Sequence, residues 1–226
     1  MLETIKKKRD DWPSVIRADA EATDTYNKQK AAALFSSLVK RGVWICPTLV
    51  AVQSNTMSNH DYWDTVMFKY YPPAVRENWM EETKSASKEE ELTSMELGQK
   101  TFPATLKLVA EMRRTGVQLL AGTDAPELTP GFSLHDELEL LVKAGLTPLE
   151  ALQAATINPA KFLGLLDSLG TVEKGKLADL VLLDANPLED IRNSKRINTV
   201  IVNGRLLDRK ALDELLTQAE ATANKK

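Results

Sequence analysis

The chain has 226 residues, a net charge of −3, 43% hydrophobic and 27% charged residues, which is room for one large or two small domains of ordinary globular composition. That charge gives no electrostatic reason to expect nucleic acid or an anionic membrane as a partner, and no apolar run approaches the roughly 18–20 residues that cross a bilayer. The N-terminus lacks the apolar core of a secretion signal, so the expected location is cytoplasmic. The single cysteine, Cys46, cannot form an internal disulfide and says little about compartment.

Residues 1–41 are charged and helix-prone. Lys6 to Arg9 is a basic run followed at once by Asp10 and Asp11, which reads as a solvated helix end. From Ala18 one long amphipathic helix is expected, with Leu34, Leu38 and Phe35 on its buried face and Gly42 at its C-terminal cap. Val43 to Val50 is a buried-strand candidate, although Pro47 cannot donate to a ladder. Helix, glycine and buried strand form the repeating unit of α/β barrels and doubly wound sheets.

Residues 51–97 interrupt that rhythm with six of the 13 aromatics: Tyr62, Trp63, Phe68, Tyr70, Tyr71 and Trp79. Such an insertion reads either as a substrate-covering lid or as an aromatic mini-core that packs only itself. His60 lies in a polar loop and reads as solvent-exposed; Lys88 to Glu91 reads as a charged helical surface. A helix is expected from about Gly98 to Arg114.

Val117 to Pro126 is the centre of the chain. Four apolar or near-apolar residues run into Ala121 and Gly122, then Thr123 and Asp124. This predicts a short parallel strand buried on both faces and ending in a carboxylate. Barrels place working groups at the C-terminal ends of their strands. By itself the aspartate reads equally as a helix cap or turn residue.

After a loop holding Pro126, Pro130 and Gly131, Ser133 and Asp136 suggest a capping box, with Leu134, Leu138, Leu141 and Val142 as the buried stripe. Thr147-Pro148-Leu149-Glu150 repeats the device with proline at the first helical position. Asn158-Pro159 opens a short helix stopped at Gly164. From Gly170 the periodicity turns to strands. One hairpin is expected between Thr171-Val172 and Ala178–Asp184, and another around Asn203-Gly204, before a polar helical tail from about Lys210.

Gly122-Thr123-Asp124, Ser133-Leu134-His135-Asp136-Glu137-Leu138, Ala144 to Leu152, Ala155-Thr156, Asn158-Pro159-Ala160, Gly170 to Val181 and Val202-Asn203-Gly204-Arg205 occur in that order. Together they resemble the C-terminal half of a metal-dependent amidohydrolase, in the branch near imidazolonepropionases and prolidase-like enzymes. The resemblance implies an α/β fold: the C-terminal part of a (β/α)8 barrel over residues 1–168, with a lid-like insertion at about 51–97. Part of a small β-sandwich over 169–209 and a helical tail over 210–226 complete it. It implies a hydrolase of C–N bonds in small amides, cyclic amides or dipeptides, using one or two divalent metal ions, zinc by first choice.

By the same resemblance, Asp124 ends the eighth barrel strand. There it ligates the metal, accepts a proton from the attacking water and passes it to the leaving nitrogen. His135, in the helical turn that follows, is either a substrate contact and support for Asp124 or an exposed first-turn residue. The family's other ligands, a His-x-His, a lysine and two further histidines, have no counterparts here, since His60 and His135 are the only histidines. A catalytic zinc takes about three protein ligands.

Two barrel-type strands are legible where a closed barrel has eight. Each backbone group buried unpaired at a sheet edge costs about 1–3 kcal/mol against a typical stability of about 5–15 kcal/mol. The expectation is therefore a C-terminal fragment inactive alone, or a non-catalytic module that self-associates or docks on an N-terminal half. A phosphate-binding α/β protein has no glycine-rich loop to support it.

Overall fold

The computed structural model describes residues 12–54, 56, 66–85, 88–124 and 131–225. The expectations for Lys6 to Asp11, His60, Tyr62, Trp63, Pro126 and Pro130 lie outside them. Where one long N-terminal helix was expected there are two, α1 (Trp12–Asp24) and α2 (Lys28–Lys40). The break falls at Asn27, whose side chain accepts from the Lys30 amide and starts α2 afresh. On α2 it is Phe35 that is buried, with Ala31 and Leu38 packed beside the core, while Leu34 points to solvent.

The strand after α2 is short. β1 spans Trp44–Ile45 only, and Leu49–Ser54 forms helix α3 rather than its extension. Pro47 removes one ladder donor, and Thr48 takes a left-handed φ of 47° that turns the chain into α3. A 3-10 turn (Val66–Tyr70) and α4 (Pro73–Ser85) follow. Then comes α5 (Lys88–Thr115), a 28-residue helix that includes Pro103. The charged run at Lys88 is thus the first turn of the same helix whose start was expected near Gly98.

β2 (Gln118–Leu119) pairs in parallel with β1, Trp44 opposite Gln118 and Ile45 opposite Leu119, and the Leu120 amide donates to the Ile45 carbonyl. The strand is not buried on both faces. Val117 and Leu119 enter the core, but Gln118 is exposed. Its other edge is closed without a strand. The Ala121 amide donates to the Ala154 carbonyl at 2.9 Å, and the Asn158 side chain donates to the Leu119 carbonyl at 2.9 Å. These are the groups a further parallel strand would have taken, so the edge cost expected from the sequence is avoided there.

Helices α6 (Ser133–Lys143), α7 (Pro148–Ala155) and α8 (Ile157–Phe162) pack behind β2. Leu141 and Ala151 are fully buried, with Val109 of α5 and Leu49 of α3 among the same core residues. Thr147 and Glu150 close the expected capping box reciprocally, behind Pro148. The box expected at Ser133 is absent. Ser133 lies inside α6, the cap position is Phe132, and Phe132 makes no side-chain cap bond. Leu134, expected on the stripe, is exposed.

β3 (Leu180–Leu183), a 3-10 turn (Ile191–Lys195), β4 (Ile197–Val202), β5 (Arg205–Leu207) and helix α9 (Arg209–Ala223) complete the chain. β3 pairs antiparallel with β4, not with Thr171-Val172. The turn at 173–176 closes locally through the Lys176 amide on Glu173, and the Leu177 amide returns to Ser168. The β4–β5 hairpin forms as expected, with φ positive at Asn203 and Gly204, as a type I′ turn requires. Asp208 caps α9, and among the described residues no helix is long and apolar enough to cross a membrane.

Candidate functional site

The parallel pairing sets the C-terminal ends of β1 and β2 side by side. Beyond β1 the chain runs Cys46-Pro47-Thr48, and beyond β2 it runs Gly122-Thr123-Asp124. The two segments touch: a Cβ added to Gly122 would lie 2.6 Å from the Cys46 sulfur. Asp124 is exposed and has a left-handed φ of 43°. Together with Thr48 it makes two non-glycine residues of left-handed backbone at adjacent strand ends. Such outliers survive where the surroundings over-determine them, and they gather at functional sites.

A second carboxylate serves this rim from behind. Glu137 of α6 is fully buried, and its Oε2 accepts from the Val50 amide at 2.8 Å. The Leu49 amide also bears on it, so α3 receives its N-terminal acceptor from another helix. Oε1 is buried with no hydrogen-bond partner. Burial pushes Glu137 up to about 7, against the pull of the two amides. Loss of water around the sulfur, then the charge of Glu137, then that of Asp124 raise the Cys46 thiol, while the Thr48 amide opposes them. Both carboxylates therefore act on one sulfur between the strand ends.

The sequence reading missed Glu137, although the signal was present. With Leu140 and Leu141 following it at i+3 and i+4, it occupies the helix face that these buried leucines mark. His135 is placed elsewhere. Its Nδ1 lies 3.0 Å from the Ser194 hydroxyl in the second 3-10 turn. Partial burial, then the nearby Lys195, hold it below the ordinary histidine value, against Asp136 and Glu139. The structure thus sets Asp124 beside Cys46 and sets His135 against the segment leading into β4.

Near that segment an open cleft of about 490 Å³ is lined by residues including Gln53, Asp136, Glu139 and Arg192; Asp124 is not among them. Among the described residues no three His, Cys, Asp or Glu side chains stand close enough to hold a metal ion.

The family model described as "Amidohydrolase family" matches residues 80–207. An imidazolonepropionase of Thermoplasma volcanium is 40% identical over 87 residues, covering 38% of this chain and 22% of that protein. A 5-methylthioadenosine/S-adenosylhomocysteine deaminase of Moorella thermoacetica is 33% identical over 120 residues, 44% of this chain and 28% of that one. Among solved structures, a bottromycin amidohydrolase superposes with a TM-score of 0.63 at 25% identity, over 80% of this chain and 40% of that chain. A Xaa-Pro dipeptidase with bound methionine superposes with a TM-score of 0.55 at 25% identity, over 77% and 36%. The chain thus spans well under half the length of these relatives. With the α/β fold of these neighbours and a family match across more than half its residues, this chain belongs to the amidohydrolase family.

Proposed function

We propose that this chain is the C-terminal barrel portion of a hydrolase of C–N bonds in small amides, cyclic amides or dipeptides, with Asp124 as its working carboxylate. The observation that carries the reading is the position of Asp124: exposed, in the segment that leaves the C-terminal end of a strand paired in parallel with its neighbour. A carboxylate there accepts a proton from an attacking water and returns it to the leaving nitrogen, a role worth about 10²–10⁴ in rate. Family members are generally metal-dependent, with zinc the first choice here. Among the described residues no donor set holds a metal, and in this reading the remaining ligands come from elsewhere in the enzyme. Residues 1–168 are the barrel portion, residues 51–97 its lid, residues 169–209 part of a small sandwich, and residues 210–226 a tail. His135, whose Nδ1 lies beside the Ser194 hydroxyl, is kept as a proposed substrate contact.

The test has two arms. The purified chain, with zinc, manganese or cobalt, is expected to show negligible hydrolysis of a panel of dipeptides and cyclic amides. Co-expressed with any upstream in-frame segment that carries a His-x-His, it gains hydrolysis, which Asp124→Asn lowers by at least about a hundredfold. Turnover insensitive to Asp124→Asn in either arm overturns the reading.

One observation favours a second reading, a non-catalytic module that self-associates. Leu206 and Leu182, on one face of the β3–β4–β5 sheet, are 65% and 47% exposed, an apolar surface suited to a second copy. Sedimentation showing a monomer across the micromolar range removes this reading.

A further inference from the structure

We propose that Glu137 is a positioning residue for Asp124, acting through α3 and Cys46 rather than by contact. The chain of contacts is short. Oε2 of Glu137 holds the Val50 amide at 2.8 Å, and so fixes the first turn of α3. The Thr48 carbonyl accepts from Ala51 and Val52, which ties the left-handed Thr48 to that same turn. Two residues earlier, the Cys46 sulfur lies against Gly122 so closely that no Cβ fits between them. Gly122 is two residues from Asp124. A shift of the α3 terminus therefore reaches the Asp124 backbone through the contact between Cys46 and Gly122.

Energetics point the same way. A carboxylate with no exposure and one oxygen unpartnered is a costly occupant of an apolar stripe, where a leucine would pack without penalty. What Glu137 supplies and leucine cannot is an acceptor for the α3 amides. In a six-residue helix, whose own Thr48 is turned left-handed, that acceptor decides where the segment begins. A short helix has little cooperativity of its own to hold its start in place.

The inference rests on the reading of Asp124 as the working carboxylate. Its test observes backbone amides only, so it can fail while the hydrolysis test succeeds, and the reverse. Amide exchange and ¹H–¹⁵N spectra are recorded on the 226-residue chain as wild type, Glu137→Gln and Glu137→Leu. Glu137→Leu is expected to cost Leu49 and Val50 about tenfold or more of protection beyond any global loss, the equivalent of one charged hydrogen bond. It also moves the Gly122, Thr123 and Asp124 resonances. Glu137→Gln, which keeps an acceptor oxygen, leaves both near wild type.

The proposal is overturned if Val50 loses protection while Gly122 to Asp124 stay in place, since Glu137 is then only a local cap. It is also overturned if the glutamine variant behaves like the leucine variant. Should Glu137→Leu fail to fold, the wild type decides by titration from pH 5 to 8. A common midpoint for Val50 and Gly122, absent in Glu137→Gln, supports the coupling, and a flat Gly122 overturns it.

Discussion

The β1–β2 pair and the β3–β4–β5 sheet differ in where their unpaired surface goes. β2 turns Val117 and Leu119 into a core that also holds Leu141, Ala151 and Val109, and its free edge is closed by Ala154 and Asn158. In the second sheet the cross-strand rows are Leu180–Ile201–Leu206 and Val181–Val200–Leu207, so apolar side chains stand on both faces. α9 lies against β4 and β5, yet Val181, Leu182 and Leu206 remain exposed. At β2 a helix carbonyl and a side-chain amide therefore take the place of a further strand. The three longer strands of the second sheet leave apolar side chains exposed on both faces.

The largest effect that would sharpen this contrast lies at Leu141. Its side chain is fully buried between α6 and the rest of the core. Leu141→Ala is expected to destabilise the chain by about 2–5 kcal/mol, read as a lower urea midpoint with an unchanged slope. A loss below about 1 kcal/mol would mean that the rim does not stand on this core.

Glu137 gives the next effect, and its sign is fixed. The folded group titrates at about 7, above its ordinary 4.5, so the folded state holds an extra proton between those values. Stability is therefore full below about pH 4.5, falls as pH rises toward 7 and is level above, a change on the order of 3 kcal/mol. Urea melts of wild type and Glu137→Gln across this range should show wild type losing stability relative to the variant as pH rises, a difference that removes the opposing contribution of His135. A difference that stays flat from pH 4.5 to 7 would contradict the buried, under-bonded carboxylate.

Much of the rim was legible in the sequence, and the misses have physical causes. The Thr147 capping box and the Asn203-Gly204 turn follow from local chemistry, where a side chain acts on its own neighbours, while Asp124 stands beyond β2 and not at its end. Leu49 and Val50 looked like strand because they continue an apolar run. In the fold the Val50 amide is held by Glu137, 87 residues away, a contact that no local pattern encodes. The same holds for β3, whose partner is β4 and not the nearer Thr171-Val172. Pairing there was decided across the sheet, while the turn at 173–176 was closed by its own backbone.

A smaller effect tests the contact between the strand ends. Gly122→Ala places a Cβ 2.6 Å from the Cys46 sulfur, which must rotate or push the segments apart, at about 1–2 kcal/mol. Cys46→Ala removes that sulfur, so the double variant is expected to recover most of the loss. The cycle should give a coupling of about 1 kcal/mol. Additive losses would show that the two strand ends are not in register contact, and would weaken the path from Glu137 to Asp124 with them.

The smallest effect belongs to the second sheet and is informative because it is small. Leu206 is 65% exposed, so Leu206→Ser removes little buried area and should change monomer stability by less than about 0.5 kcal/mol. If the sheet face is one that another layer covers, the substitution matters only in the covered state. It then weakens association, whether with a second copy or with a complementary half, while the urea midpoint of the isolated chain stays where it was. Cysteine reactivity at Leu206→Cys would report the same difference, fast in the chain alone and slowed on assembly. A loss of 2 kcal/mol or more in the isolated chain would instead mean that this face is already part of its core. The two sheets would then differ only in degree.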